Sequence, residues 1–194
     1  VAKGLNLPNV TLVGVLDADL SLYTGGYLAG ETTFNMLTQV VGRAGRGDSP
    51  GKAIIQTMVP DHQVIRYAAE QDYDGFYDLE IQLRRVQNAP PFGDLAVVVV
   101  TGREETAALR GAAKFRDSLI ACLRQEAYRE ERCAVLGPAP CAVPKVNYHF
   151  RYQLTLRCRL TRAMRQLLSY LLREFGKDKA NRGVSAYIDV NGFD

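Results

Sequence analysis

The sequence lacks tryptophan, has only two histidines, and carries four cysteines of which no two form a CxxC pair. The wide spacing of Cys122, Cys133, Cys141 and Cys158 argues against a zinc site and a disulfide framework, so we expect buried, reduced thiols and no metal site. No apolar run approaches the roughly 20 residues that a membrane-spanning helix needs, and we expect no membrane partner. Because the chain starts without methionine or a signal-like segment, we expect a piece of a larger protein.

What the sequence does contain is the composition of a folded globular protein, with 47% hydrophobic and 23% charged residues. A length of 194 residues allows one large domain or two small ones. The net charge of +3 permits a nucleic-acid partner but does not require one.

The first part of the chain alternates strand and helix patterns, which is typical of an α/β layered domain. The predicted strands are Val10–Leu16, a continuous apolar run expected to be covered on both faces, and Lys52–Met58. The predicted helices are Glu31–Ala44, a helix from an N-cap at Asp61 to Glu70, and Tyr73–Val86. Two prolines then interrupt the chain, and we place a domain boundary there, between residues 1–91 and 92–194.

The second domain is predicted to be a two-layer α+β sandwich with the order β-α-β-β-α-β, the split-βαβ arrangement with both helices on one face of an antiparallel sheet. Its predicted elements are strand Leu95–Thr101, helix Glu104–Glu126, strand Cys133–Leu136 with a turn at Gly137–Pro140, a hairpin over Val143–Leu160, a helix from an N-cap at Thr161 to Phe175, and strand Val184–Val190.

The string with the most chemical content is QVVGRAGR, at 39–46. Arg43 and Arg46 stand three residues apart at a helix end, where two guanidinium forks can face one polyanion. Gly42 allows close backbone approach, and Gln39 can hydrogen-bond a nucleotide. Charge that builds on a γ-phosphate during its transfer is stabilised by such groups, so an arginine finger is one interpretation. The other is a surface helix end whose arginines complement the helix dipole.

The whole string resembles motif VI of superfamily-two helicases, and its surroundings narrow the resemblance. The segment VAKGLNLPNVTLVGVLDADLSL is similar to motif V and the following strand of the primosomal protein N′ (PriA) family. Later segments, PGKAIIQT, PDHQVI, RRVQNAPPFGDLAVVV and VLGPAPCAVPKVNYHFRYQL, resemble the same family in order and with compatible spacing. The resemblance covers essentially the whole chain. It implies the end of a RecA-like helicase lobe followed by the family's C-terminal domain.

The resemblance also implies an activity and roles for single residues. The full-length protein would be an ATP-dependent 3′-to-5′ DNA helicase that recognises stalled or branched forks and restarts replication with other primosome proteins, in the bacterial cytoplasm at the nucleoid. Gly4 and Asn6 would lie in motif V, Arg43 and Arg46 would reach the γ-phosphate, and Gln39 would sense the nucleotide. ATP and Mg²⁺ would serve the full-length protein, and its zinc ligands would lie outside this chain. Because the sequence has no Walker A loop and no DEAH-type box, we expect this chain alone to be inactive.

A basic stretch in the second domain indicates nucleic-acid binding. Between positions 141 and 165 there are six lysines and arginines, no acidic residue, and several interleaved aromatic rings. Cations engage phosphates and rings stack on unpaired bases, which suits single-stranded or forked DNA. The candidate DNA-binding residues are Lys145, Tyr148, Phe150, Arg151, Arg157 and Arg159. The alternative is an ordinary sheet whose rings fill the core and whose arginines face solvent.

Arg162 and Gln166 stand four residues apart, and therefore on one face of the helix after Thr161. An arginine beside an amide can capture a terminal carboxylate. The family resemblance implies that these positions dock the acidic C-terminal tail of single-stranded DNA-binding protein. The alternative is a pair of exposed polar residues on an amphipathic helix.

Three other functions remain open at this stage. A different superfamily-two helicase, such as a branch-migration enzyme, would not explain the βαββαβ domain. A non-enzymatic DNA-binding module would leave the string at 39–46 unexplained. A small-molecule α/β enzyme is the weakest of the three, because no nucleophile–base pair is visible.

Overall fold

The structure is a computed structural model that describes residues 10–24, 26–44 and 51–191. The chain divides into two compact units, one reaching Gln87 and a second that starts at Asn88. Both units mix helix and strand, as expected. Among the described residues no helix is both long enough and apolar enough to cross a membrane. The boundary near residue 91 stays a prediction of where functional domains divide.

The described residues of the first unit form two short strands and four helices. Its elements are β1 (Leu12–Val15), α1 (Asp19–Leu22), a 3-10 turn (Gly26–Leu28), α2 (Ala29–Val41), β2 (Lys52–Ile55), α3 (Gln63–Glu70) and α4 (Tyr73–Gln87). β1 and β2 pair in parallel, Leu12 opposite Lys52 and Gly14 opposite Ile54. The core holds side chains of α2, α3 and α4, and the rings of Phe34 and Phe76 stack with their centroids 4.1 Å apart.

The expectation that the first strand is covered on both faces is wrong. Leu12 is 60% exposed and Ile54, on the neighbouring strand, is 49% exposed. The intervening residues Val13 and Val15 are half-buried. Exposure therefore alternates along both strands, because the helices of this unit pack against one face of the two-stranded sheet.

The expected N-cap at Asp61 is also wrong, because α3 starts at Gln63 with His62 as its N-cap and no side-chain capping bond. The His62 N–H donates to the Val59 carbonyl oxygen over 3.0 Å, so Pro60 and Asp61 form the middle of a turn. Proline favours the second position of such a turn, so the N-cap moves by one residue, from Asp61 to His62. The stretch 17–30 also contains α1, which was not predicted.

A carboxylate ties the two strands of the first unit together beyond their last paired residues. Asp19 is nearly buried and accepts hydrogen bonds from the Thr57 hydroxyl and, over 2.7 Å, from the Met58 N–H. The Ala18 N–H donates to Gln56 O nearby, over 3.0 Å. The hydroxyl bond, followed by the backbone bond, holds the pKa of Asp19 below its ordinary value.

The second unit is a four-stranded antiparallel sheet with two helices. Its elements are β3 (Asp94–Gly102), α5 (Glu105–Leu123), β4 (Cys133–Val146), β5 (His149–Cys158), α6 (Arg162–Lys177) and β6 (Val184–Val190), with 3-10 turns at Glu126–Tyr128 and Lys179–Asn181. The strands lie in the order β4-β5-β3-β6. Inward side chains of α5 and α6 form one core with alternate residues of β3 and β5, including Val98, Val100, Leu154 and Leu156. The predicted βαββαβ two-layer sandwich is confirmed, and so is the cap at Thr161, which accepts from the Met164 N–H.

The turn expected at Gly137–Pro140 is absent, because β4 runs through it as one strand. The register with β5 shifts between Leu136 and Ala139 and again between Pro140 and Lys145. Gly137 has a φ of +101°, and a Cβ there would lie 2.7 Å from the Gln153 carbonyl oxygen. Only glycine fits this bulge, and the prolines are tolerated because β4 is an edge strand.

Asn191 joins the start of β3 to the end of β6: its N–H donates to Leu95 O over 2.7 Å and its Oδ1 accepts from the Leu95 N–H over 2.9 Å.

All four cysteines are free thiols, as expected. Burial holds for Cys141 and Cys158, whereas Cys122 and Cys133 are only partly buried.

We expect the Asp19 contact to make the first unit sensitive to acid. Its folded pKa lies below the ordinary value of 3.8, so the stabilisation is present above that value and is lost as the pH falls through the folded pKa. Asp19→Asn should destabilise the unit at neutral pH and reduce its acid dependence, as measured by thermal unfolding in a pH series. The control is Asp61→Asn, which removes an exposed carboxylate of the same unit. Equal acid dependence in both variants would contradict the role of Asp19.

Two glycines, one on α5 and one on α6, are expected to change the free energy of unfolding in opposite directions when they are substituted. A Cβ on Gly111 would lie 3.1 Å from Val184, 3.2 Å from Phe175 and 3.3 Å from Val100, whereas one on Gly176 of α6 would meet nothing within 4 Å. Gly111→Val should lower the free energy of unfolding by about 1–3 kcal/mol through overpacking. Gly176→Ala should raise it by up to about 1 kcal/mol through helix propensity. Denaturant unfolding checks both, and an unaffected Gly111→Val variant would rule out the close approach.

Candidate functional site

The sheet of the second unit has one face without helices. Because side chains alternate along a strand, the residues of β3, β5 and β6 that alternate with the core residues lie on this face. We call it the helix-free face; its polar residues include Thr101, Arg151, Gln153, Thr155, Arg157, Ser185, Tyr187 and Asp189.

The polar side chains of this face form rows across the strands. Arg151 of β5, Thr101 of β3 and Ser185 of β6 lie in one row, and the two hydroxyl oxygens are 2.9 Å apart. The Arg151 guanidinium donates to the Tyr187 hydroxyl over 3.2 Å. Guanidinium and hydroxyl groups side by side can bind phosphate oxygens. The one carboxylate among the described residues of this face, Asp189, lies on the edge strand β6.

The structure places the six predicted DNA-binding residues in three locations. Arg151 and Arg157 lie on the helix-free face, with Arg157 exposed, and exposed Arg159 directly follows the end of β5. Lys145 and Phe150 pair across the strands on the other side of the sheet, and the Lys145 ammonium lies 4.3 Å from the Phe150 ring centroid. Tyr148 occupies the hairpin tip between β4 and β5 and is 85% exposed.

Sequence reasoning missed the contribution of β3 and β6 to this face. Thr101, Ser185 and Tyr187 stand far from the basic stretch along the chain. The alternation in VSAYIDV could have shown that Ser185 and Tyr187 share one side of a strand. It could not show which strand lies beside it, because that depends on the order of strands in the sheet.

Arg162 and Gln166 line a shallow cleft of about 460 Å³ on the outer side of α6, together with Arg165, Ser169 and Arg173. Arg165 is turned back to the start of the helix, where its Nε donates to the Leu160 carbonyl oxygen over 2.8 Å. Within the described part of the chain, neither Arg162 nor Arg173 forms an ion pair with an acidic side chain. The cleft is therefore suited to an anionic ligand.

The predicted nucleotide-contacting residues lie at the end of α2, as far as the structure describes them. Gln39 is exposed in the last turn, Gly42 is the C-cap, and the Arg43 N–H donates to Val40 O over 3.1 Å. Gln39 lies in the last turn of α2 and Arg43 directly follows its C-cap, and an amide and a guanidinium are both groups that can bind a phosphate. Gly4, Asn6 and Arg46 lie outside the described residues. The described residues contain no group of three or more His, Cys, Asp or Glu that could hold a metal ion.

Comparison with known proteins gives one consistent result. A family model described as the primosomal protein N C-terminal domain matches residues 85–192. The replication restart protein PriA of Bacillus subtilis is 36% identical over 193 residues, which are 100% of this chain and 23% of that protein. The PriA proteins of Synechocystis (36% identity, 81% of this chain, 18% of the relative) and Chlamydia muridarum (32% identity, 98% of this chain, 24% of the relative) are similar. The chain thus spans about a quarter of the length of these relatives or less.

Proposed function

The chain belongs to the PriA family of replication restart proteins, and we propose that it is the C-terminal part of an ATP-dependent 3′-to-5′ DNA helicase that acts at stalled or branched replication forks. Family membership removes the alternatives of a branch-migration enzyme and a small-molecule α/β enzyme. The observation that carries a DNA-binding role for this part is the helix-free face, where Arg151 and Arg157 stand among hydroxyl and amide groups.

The chemistry of this face favours the DNA backbone over base edges. Guanidinium and hydroxyl groups donate to phosphate oxygens in any sequence, so the face would bind without sequence preference. Arg151 and Arg157 stand on one strand with Gln153 and Thr155 between them on the same side. Such a line of donors can follow one strand of nucleic acid. Lys145 and Arg159 would add positive charge at the two ends of β5.

The first unit would contribute to the motor. Gln39, Gly42 and Arg43 would stand at the end of α2 near the nucleotide, with Arg46, Gly4 and Asn6 joining them in the full-length protein. The arginines would neutralise charge at the γ-phosphate. ATP and Mg²⁺ would be held mainly by the remainder of the protein, and zinc by that remainder alone. The exposed Leu12 and Ile54 support this proposal, since parallel sheets are ordinarily covered on both faces.

A second role, docking of a protein tail, is favoured by the cleft on α6. Arg162 and Arg173 stand at its two ends and Gln166 and Ser169 between them. This spacing of cations suits an acidic peptide whose terminal carboxylate meets Arg162 and Gln166. The tail of single-stranded DNA-binding protein would be such a ligand. Contacts with other primosome proteins and a position at the nucleoid follow from the same proposal.

We expect replacement of both arginines of the helix-free face by glutamine to weaken binding of single-stranded DNA and to reduce its salt dependence. Each phosphate contact contributes a slope of about 0.7 to the plot of log affinity against log salt, so the double variant should lose about 1.4. Fluorescence anisotropy across a salt series measures this. The control is the double variant of Arg110→Gln and Arg124→Gln, two exposed arginines of the helix side. It makes the same charge change away from the helix-free face. A double variant of Arg151 and Arg157 with the slope of this control would contradict the proposal.

For the α6 cleft, we expect Arg162→Ala and Gln166→Ala each to weaken binding of a synthetic acidic peptide with a free C-terminal carboxylate. The loss for Arg162 should be about 10-fold or more, because a hydrogen bond to a charged group contributes about 1.5–3 kcal/mol. Titration calorimetry gives the affinities. Arg110→Ala and a C-terminally amidated peptide are the controls. Equal binding of the free and amidated peptides would show that the cleft does not read a terminal carboxylate.

A further inference from the structure

The tip of the β4–β5 hairpin has a backbone that favours glycine but carries a tyrosine. Val146 and His149 are the last paired residues, so Asn147 and Tyr148 form a two-residue connection. Their φ angles are +47° and +62°. Two-residue turns with positive φ at both positions favour Asn followed by Gly, since an L side chain at the second position is strained. Asn147 follows this preference and Tyr148 does not.

The Tyr148 side chain has no structural role that would explain a tyrosine at this position. It is 85% exposed, and the described residues supply it with neither a hydrogen bond nor a ring partner. The other rings near the hairpin are engaged: Phe150 is covered by Lys145, and the Tyr152 hydroxyl donates to Glu105 over 2.9 Å. A strained, exposed residue with no packing role indicates a function outside the fold.

The surroundings of the ring define the chemistry of its ligand. The stretch from 141 to 165 contains no acidic residue, and Lys145 and Arg151 stand within three residues of Tyr148 along the chain. The tip lies at the end of the sheet where β3 ends, because Gly102 pairs with Phe150, and Arg151 leads from there onto the helix-free face. A flat ring followed by a line of cations fits a strand with an unpaired base beside its phosphates.

We propose that Tyr148 is a base-stacking residue that contacts an unpaired base of single-stranded or forked DNA while the arginines of the helix-free face hold the phosphates. This inference rests on the proposed DNA-binding function and assigns the tip a separate role within it. The ring responds to the presence of an unpaired base, whereas the arginines respond to charge. Tyr148 would thereby distinguish a fork, or a single strand, from an intact duplex.

The test uses the full 194-residue chain and two probes, an oligothymidine that contains one 2-aminopurine and a blunt duplex of the same length. Tyr148→Gly and Tyr148→Leu should bind the single strand at least about fivefold more weakly and lose quenching of the 2-aminopurine, whereas Tyr148→Phe keeps the ring and should stay within about twofold. Binding to the blunt duplex should be unchanged in all three variants. The salt slope should also be unchanged, because no cation is removed.

Thermal unfolding separates function from structure, since Tyr148→Gly should unfold at the same temperature as the parent chain or higher. A clear drop in this temperature would overturn the inference by giving the ring a structural role. Single-strand affinity that is insensitive to Tyr148→Gly and Tyr148→Leu but sensitive to Arg151 and Arg157 would overturn stacking alone and leave DNA binding intact. If the parent chain binds neither probe at low salt, both the stacking proposal and the proposed DNA-binding function are overturned.

Discussion

Side-chain alternation along β5 determines how the most basic stretch of this chain is divided between core and surface. Both helices of the second unit pack on one side of the sheet, so Leu154 and Leu156 enter the core and Arg151 and Arg157 are directed to the other side. A shift of one residue in the pairing of β5 would bury the arginines and expose the leucines. The cost of burying those charges makes such a shift unfavourable. The core therefore secures the orientation of the helix-free face.

The first unit is governed by a different constraint, the small size of its sheet. Within the described residues the helices of this unit cover one face of the two parallel strands, and exposed residues alternate with half-buried ones. Asp19 compensates locally, since its carboxylate satisfies a backbone N–H just beyond β2. The exposed strand face is consistent with a chain that spans only part of the length of its relatives.

Much of the second unit could be predicted from the sequence, because its signals are local. The alternation in β5 and β6 and the threonine cap of α6 are each readable within a few residues. The continuity of β4 between Leu136 and Val143 was not predicted, because Gly137 and the nearby prolines have the local chemistry of a turn, and only pairing with β5 makes them a bulge. The same limit applies to the candidate site. Thr101 and Ser185 lie 84 residues apart, and only the strand order brings their hydroxyls together.

The junction at Asn191 has a mechanical consequence for the second unit. β3 begins beside the place where β6 ends, and the two strands are antiparallel neighbours. A force that pulls the two ends of the unit apart would load the hydrogen bonds between β3 and β6 one after another, as in a zipper, instead of all at once in shear. Such an arrangement yields at low force. The second unit is therefore poorly suited to carry tension between its own ends.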